Sequence, residues 1–210
     1  MEVILIEKII IIGYGGHADS IADSIEQKGE FEIGGYLDKK YIKKNQVYPY
    51  MGDDDELQHV FDNGIRNAVI GVGYMGNSIL RDELFRKATK IGYHLPVIID
   101  KTAALASNVQ IGDGSFIGKN AVINAGSRIG KMCIINSGAI IEHENRVDDY
   151  SHISVGTVLC GNVYVENHVF VGANATVIQG THIGMESIIG AGSIVLKDVM
   201  QNSRVYGVWK

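Results

Sequence analysis

The sequence predicts a chain in two parts: an α/β, Rossmann-like domain over residues 1–100, then an all-β parallel β-helix over residues 101–210. Three observations predict this. The first hundred residues alternate short apolar runs with amphipathic segments. From Leu105 to Val195, every sixth residue is Leu, Ile or Val. Within that repeat, small residues and glycines keep fixed places.

In the first domain, "KIIIIGYGGH" is an apolar run that ends in glycines. "HADSIADSIEQKG" then sets Ile21, Ala22 and Ile25 at helical spacing before Gly29 as a C-cap. A second strand, "FEIGGYLD", ends at Asp38. A short helix from about Asp54 to Asn63 follows, then the strand "NAVIGVG", which closes at Gly73. "GNSILRDELFRKATKIGY" places Ile79, Leu80, Leu84, Ala88 and Ile91 on one helical face, and "HLPVIID" supplies another strand of the small parallel sheet. A Gly-rich first turn in such a sheet frees backbone N–H groups at a helix N-terminus, where unpaired donors and the helix dipole stabilise an anion. "GYGGHA" is such a turn, with Gly15, Gly16 and His17 as candidate contacts. Its spacing is not G-x-G-x-x-G, which argues against NAD, and a tight turn that only needs glycine dihedrals is the competing reading.

In the second part, the aliphatic positions run without a break through sixteen hexads, including Ile135, Ile141, Val147, Ile153 and Leu159. Four places after each, the residue is usually small, as at Ser127, Cys133, Ala139 and Ser151. Gly112, Gly118, Gly130, Gly172, Gly184 and Gly190 fill the place just after the aliphatic. Each hexad makes one short strand and a corner, and three hexads close a triangular coil of eighteen residues. The aliphatic and the small residue share the interior, so Cys133 is a core residue.

Against this background "IIEHENRVDDYSHISVG", residues 140–156, stands out: His143 sits between Glu142 and Glu144, and His152 follows nine positions later. Histidine ionises near neutral pH, and adjacent carboxylates raise its proton affinity, as a general base requires. Coil arithmetic stacks Gly161 one coil beyond His143, where its N–H is placed to donate to an oxyanion. Nine residues are half a coil, so the two histidines fall on opposite sides of the prism. His59, His94, His168 and His182 lack comparable surroundings and read as surface residues.

Charge and composition exclude other classes. Nineteen basic against 24 acidic residues give a net charge of −5 with no basic run, which argues against nucleic-acid binding. "MEVILIEKIIII" is interrupted by Glu7 and Lys8 and is too short to span a bilayer, so it reads as a strand, with no membrane insertion and a cytoplasmic location expected. Cys133 and Cys160 have no metal-like spacing, and no metal is expected.

"GYGGHA", "NSGAIIEHENRVDDYSHISVG" and "IIGAGSIVLKDV" together resemble the hexapeptide-repeat sugar acetyltransferases, the family of the bacillosamine-pathway N-acetyltransferase and the sialic acid O-acetyltransferases. The resemblance implies a left-handed β-helix, acetyl-CoA as cosubstrate and a homotrimer with coenzyme in the grooves between prisms. It also implies His143 as the base, Glu144 as its support and His152 as a contact to acetyl-CoA. The small-residue columns Gly172–Gly190 and Ala173–Ala191 suit the pantetheine arm, with Gly161, Ala173, Gly190 and Ala191 as coenzyme contacts. Gly15, Gly16, His17, Asp38, Gly73 and Asn136 are the candidate substrate contacts, and Asp38 is placed for uridine or amine recognition. The expected reaction is N-acetylation of a UDP-4-amino sugar. O-acetylation of a sialic acid is the enzymatic alternative, and a non-catalytic β-helix scaffold is the alternative of another class. The chain departs from the family pattern at Val199-Met200 and at its "GVWK" end, where relatives help cover the coenzyme.

Overall fold

The computed structural model describes residues 6–41, 47–73 and 79–210. The chain forms two compact units, Met1–Ile98 and Ile99–Lys210. The opening residues of "MEVILIEKIIII" and of the segment that starts at Gly76 lie outside the described residues.

In the first unit β1 (Glu7–Ile12), α1 (Gly16–Lys28), β2 (Phe31–Leu37), α2 (Leu57–Asp62), β3 (Asn67–Ile70) and α3 (Ile79–Ile91) follow in order. The sheet is parallel in the order β2-β1-β3. β1 is the central strand, and this explains its unbroken Ile9–Ile12 run: all four side chains are fully buried, as a strand covered on both faces demands. Helix α1 buries Ala18, Ile21, Ala22 and Ile25 and ends at Gly29, φ 69°.

Two expectations are corrected here. The strand in "HLPVIID" does not join this sheet; Ile98–Ile99 is the first strand of the β-helix, and only His94 makes a bridge, to Asn67. Ile99 carries the hydrophobic repeat's phase, six residues before Leu105, and packs half-buried against the β-helix core. On α3, Ile79 is exposed, while Arg81 is buried with Leu84 and Ala88. Ile79 is the first residue of the helix, before the apolar stripe is established.

The second unit is a left-handed parallel β-helix of about six coils. Its first face has seven two-residue strands, among them Phe116–Ile117, Ile134–Ile135, His152–Ile153 and Phe170–Val171. The second face, also of seven strands, includes Ile140–Ile141 and Val158–Leu159, and the third, of five, includes Arg146–Val147 and Tyr164–Val165. Partners are eighteen apart, as in Ile135↔Ile153 and Ile141↔Leu159, until the last two strands, where Ile189↔Val205 and Val195↔Trp209 pair at shorter spacing. The second residue of each strand points inward; Ile117, Ile123, Ile135, Ile141 and Ile153 are all fully buried, each stabilising the prism by roughly 1.5–3 kcal/mol. Cys133 is buried among them, as its phase predicted.

The interior also holds a polar ladder. Ser115, Ser127, Ser151 and Thr157 each donate to the carbonyl fifteen residues on, and the Cys133 thiol does the same at 3.2 Å. Ser115, Ser127 and Ser151 also accept an N–H eighteen residues on. Small polar residues therefore satisfy backbone groups that the coil corners leave unpaired.

The outward residues differ between faces. The second face presents Ala104, Val122, Ile140, Val158, Thr176, Ile194 and Val208 in one column. The third presents Gln110, Arg128, Arg146, Tyr164 and His182. The "GVWK" end is not loose: Val208–Trp209 is the last strand of the second face, and Trp209 packs on the core while its Nε1–H donates to the Asp198 carbonyl at 3.1 Å.

Candidate active site

The corner between the second and third faces holds His143. Ile141 ends its strand, His143 and Glu144 form the turn, and Arg146–Val147 starts the next face. Glu144 adopts φ +58°, the left-handed conformation that this place in the hexad requires; Asn120, Asn162 and Asn174 stand at the equivalent place. Both side chains stay in solvent, 61 % and 71 % exposed, with His143 Nδ1 3.6 Å from Glu144 Oε2. The imidazole is thus accessible, with a carboxylate beside it.

The ring lies over Gly161. A Cβ at residue 161 would come within 2.5 Å of His143 Nε2 and 2.6 Å of Cε1. Only glycine lets the imidazole occupy that place. His143, Glu144 and Gly161 therefore share one corner.

The other expected residues of the β-helix gather elsewhere. His152 points outward from the first face, yet only 8 % of it is exposed, so it is not a solvated surface histidine. It meets the Phe170 ring edge-on at 5.2 Å, and its Nε2 lies 3.4 Å from Asn136 Nδ2. Asn136, Gly172, Ala173, Gly190 and Ala191 follow first-face strands at the corner with the second face. Gly172 and Gly190 are buried: a Cβ at 172 would meet the backbone of Ala191 and Gly190, and one at 190 would meet the Tyr206 ring. Coil stacking accounts for these two glycines. Ala191 is exposed and Ala173 half-buried. Ile141, Val147 and Ile153 fill the interior between His143 and His152.

In the first unit the turn after β1 and the end of β2 meet. Asp38 Oδ2 accepts from the Tyr14 N–H at 2.8 Å, and Asp38 Oδ1 from the Lys40 N–H at 3.2 Å. The carboxylate thus ties the two strand ends together. Gly13 has φ +82° and needs glycine, whereas Gly15 and Gly16 have no neighbour within 4 Å of a would-be Cβ and no left-handed φ. The competing tight-turn reading therefore holds for Gly13 only. His17 packs against Gly73; burial first, and the Arg81 charge second, push it down from 6.5 to about 4, so it is neutral at pH 7. A cavity of about 130 Å³ opens between Gly13, Asp38, Asp54, Val72 and Leu84.

Sequence reasoning missed the tyrosines of this region. The Tyr14 and Tyr36 rings lie 4.6 Å apart, Tyr36 and Tyr50 5.4 Å, and the Tyr50 hydroxyl donates to the Asp38 carbonyl at 3.1 Å. Burial, then Asp19, pushes the Tyr14 hydroxyl up to about 12. The signal was there as Tyr36, Tyr41, Tyr48 and Tyr50 within fifteen residues. Of the four histidines read as surface residues, His182 is half-exposed but not idle: it bonds Glu166 Oε1 at 2.8 Å and stacks on Tyr164. A larger hollow of about 340 Å³, near Arg128, Lys131 and Arg146 on the third face, contains none of the expected site residues. Among the described residues no group of three side chains is arranged to hold a metal, and no helix is long and apolar enough to cross a membrane.

Comparison with known proteins agrees with this architecture. The PglD N-terminal domain matches residues 8–88, and the hexapeptide repeat of succinyl-transferase matches residues 108–142 and 162–197. A histidine-to-asparagine variant of perosamine N-acetyltransferase from Caulobacter crescentus, in complex with CoA and GDP-perosamine, is 32% identical with a TM-score of 0.91, over 96% of this chain and 94% of that one. The acetyltransferase domain of PglB from Neisseria gonorrhoeae, in complex with acetyl coenzyme A, is 28% identical with a TM-score of 0.89, over 96% of both chains. Curated relatives match in part: a galactoside O-acetyltransferase from Lactococcus lactis is 47% identical over 45 residues, 21% of this chain and 22% of that protein. The match thus spans about a fifth of that relative's length. The chain belongs to the acetyl-CoA-dependent sugar N-acetyltransferases in which a PglD N-terminal domain precedes a hexapeptide-repeat β-helix.

Proposed function

We propose that the chain moves the acetyl group of acetyl-CoA to the amine of a UDP-4-amino sugar by direct attack, with His143 as general base. The observation that carries this is the His143 ring lying over Gly161, which puts a proton acceptor next to a backbone donor at one exposed corner. His143 takes the proton that the amine sheds as its nitrogen bonds the thioester carbonyl carbon. The Gly161 N–H donates to the oxygen that gains charge, and the C–S bond breaks as that charge collapses, leaving CoA thiolate to be protonated. Glu144 stabilises the imidazolium. His143→Ala is expected to lose about 10²–10⁴ in kcat with acetyl-CoA affinity little changed. Free-thiol release measures it, and near-normal turnover would sink the assignment.

The nucleotide is assigned to the first unit, where Gly15 and Gly16 leave the N-terminus of α1 open and Asp38, His17 and Gly73 surround it. A GDP-amino sugar is the second reading, favoured because the relative that is 32% identical is described with GDP-perosamine. UDP and GDP, each alone, separate the two: the cognate nucleotide raises the melting temperature through linkage. O-acetylation of a sialic acid is the weaker alternative, since the similar structures over the whole chain are N-acetyltransferases where their names specify the bond.

The two clusters of the β-helix work together if copies assemble. The second face carries a partly exposed apolar outward column, whereas the third is charged, so association through the second leaves the third in water. A closed trimer then seats His143 of one protomer beside His152 of its neighbour, with His152, Ala173 and Ala191 along the coenzyme. Mixed trimers of His143→Ala and His152→Ala are expected to regain partial activity. No regain, with mixed trimers verified by native mass spectrometry, would disprove the shared site.

A further inference from the structure

Asn145 breaks the interior ladder of the β-helix. Its place, four after Ile141, is held in other coils by Ser115, Ser127, Cys133, Ser151 and Thr157. Asn145 makes the two bonds that the serines make: Nδ2 donates to the Cys160 carbonyl at 3.0 Å, and Oδ1 accepts from the Val163 N–H at 2.9 Å. A carboxamide has a second hydrogen, and here Nδ2 also donates to the Glu142 carbonyl at 2.6 Å. Ser127 donates to that same carbonyl at 2.8 Å. Asn145 is 1 % exposed, so water does not compete for these bonds.

The two carbonyls that Asn145 holds belong to the two peptides of the proposed site. Glu142 C=O shares a peptide with His143 N–H, and Cys160 C=O shares one with Gly161 N–H. In a trans peptide the C=O and N–H point in opposite directions. Drawing both carbonyls inward turns both N–H groups outward, to the side where the His143 ring covers Gly161. Among the described residues no protein acceptor takes the Gly161 N–H. We infer that Asn145 is a positioning residue: its carboxamide aims the Gly161 N–H at the oxyanion and holds the peptide that carries His143. Base and donor then keep one spacing through the reaction. This rests on the roles proposed above for His143 and Gly161.

Serine and valine both occur naturally in this slot, serine at 127 and 151 and valine at 163 and 169, so both fit at 145. Asn145→Ser keeps the donor to Cys160 and the acceptor for Val163 but frees one of the two donors to Glu142. Asn145→Val removes all three bonds. The expected result is a graded loss of kcat, about tenfold for serine and about a hundredfold for valine, with KM for both substrates within about twofold. The melting temperature of the serine variant is expected to stay within a few degrees of the parent and that of the valine variant, which leaves the Cys160 carbonyl and the Val163 N–H unpaired, to fall further, so kcat is read per folded molecule. Unchanged kcat in both variants beside an inactive His143→Ala overturns the role of Asn145 and leaves the base assigned. An active His143→Ala overturns the reading beneath it. If the valine variant does not fold, the serine variant carries the test alone. A raised KM with kcat kept, or activity that falls only with the folded fraction, also overturns the inference.

Discussion

Gly161 and Gly172 are both corner glycines of the β-helix with no room for a methyl group, but different neighbours take that room. At Gly172 a Cβ would strike the next coil's backbone, 2.5 Å from the Ala191 nitrogen and 2.8 Å from the Gly190 carbonyl carbon. At Gly161 it would meet the His143 imidazole, a side chain free to rotate away. In a repeat rich in glycine, one crowded by backbone marks the fold. One crowded by a single titratable side chain marks a candidate site.

The sharpest way to break this contrast is to add the methyl group at each position. Gly161→Ala is expected to cost about 10²–10³ in kcat, by displacing the proposed base His143 from the Gly161 N–H, while the melting temperature barely moves. Thiol release and thermal unfolding of the same preparation check both halves. A loss of stability with kcat intact would erase the distinction.

The two histidines His143 and His17 extend the comparison from glycine to imidazole. His143 is exposed, whereas burial and Arg81 lower His17 to about 4. With its folded pKa below the unfolded value of 6.5, the folded state binds fewer protons than the unfolded one. Its stability contribution is therefore full above pH 6.5 and falls as pH drops toward 4, by up to about 3 kcal/mol. Hydrogen exchange of the α1 amides at pH 7 and pH 5 is expected to show this, and His17→Gln to flatten it.

Gly172→Ala is expected to destabilise the β-helix by about 1–3 kcal/mol, as overpacking against backbone does, while kcat per folded molecule is kept. Urea unfolding followed through Trp209, which caps the second face, reads the loss. The smallest effect belongs to Glu144. Asparagine tolerates the left-handed corner better than glutamate, so Glu144→Asn is expected to stabilise folding by up to about 1 kcal/mol. The same change lowers kcat several-fold if the carboxylate supports the base, and a variant both more stable and fully active would separate Glu144 from the chemistry.

The β-helix was more legible than the domain before it. Ile117, Ile123, Ile135, Ile141 and Ile153 could be assigned to the interior by counting, because each coil repeats the same local geometry and contacts only its neighbours. The α/β unit has no such repeat. "HLPVIID" carries a strand pattern with nothing local to say which sheet it joins, and it went to the coils. Periodicity also placed Ile79 on the buried face of α3, but it is the first residue of the helix and lies exposed. At the site, "EHE" and the eighteen-residue coil were enough to bring His143, Glu144 and Gly161 together. Asn145 escaped because it interrupts the small-residue pattern, and an interruption reads as noise until its hydrogen bonds are seen.

By itself the sequence determined the period, the inward phase and the corner at which His143 stands. These follow from short-range rules: a hexad has one strand and one turn, and its aliphatic residue has only the prism interior in which to leave water. Tertiary structure alone decided the burial of His152, the meeting of Asp38 with the Tyr14 N–H, and the two carbonyls held by Asn145. Each depends on groups 3 to 24 residues apart whose bonds are set by direction as well as distance. Hydrophobic burial is non-directional and so survives in a pattern of letters, whereas a hydrogen bond exists only once donor and acceptor are aimed at each other.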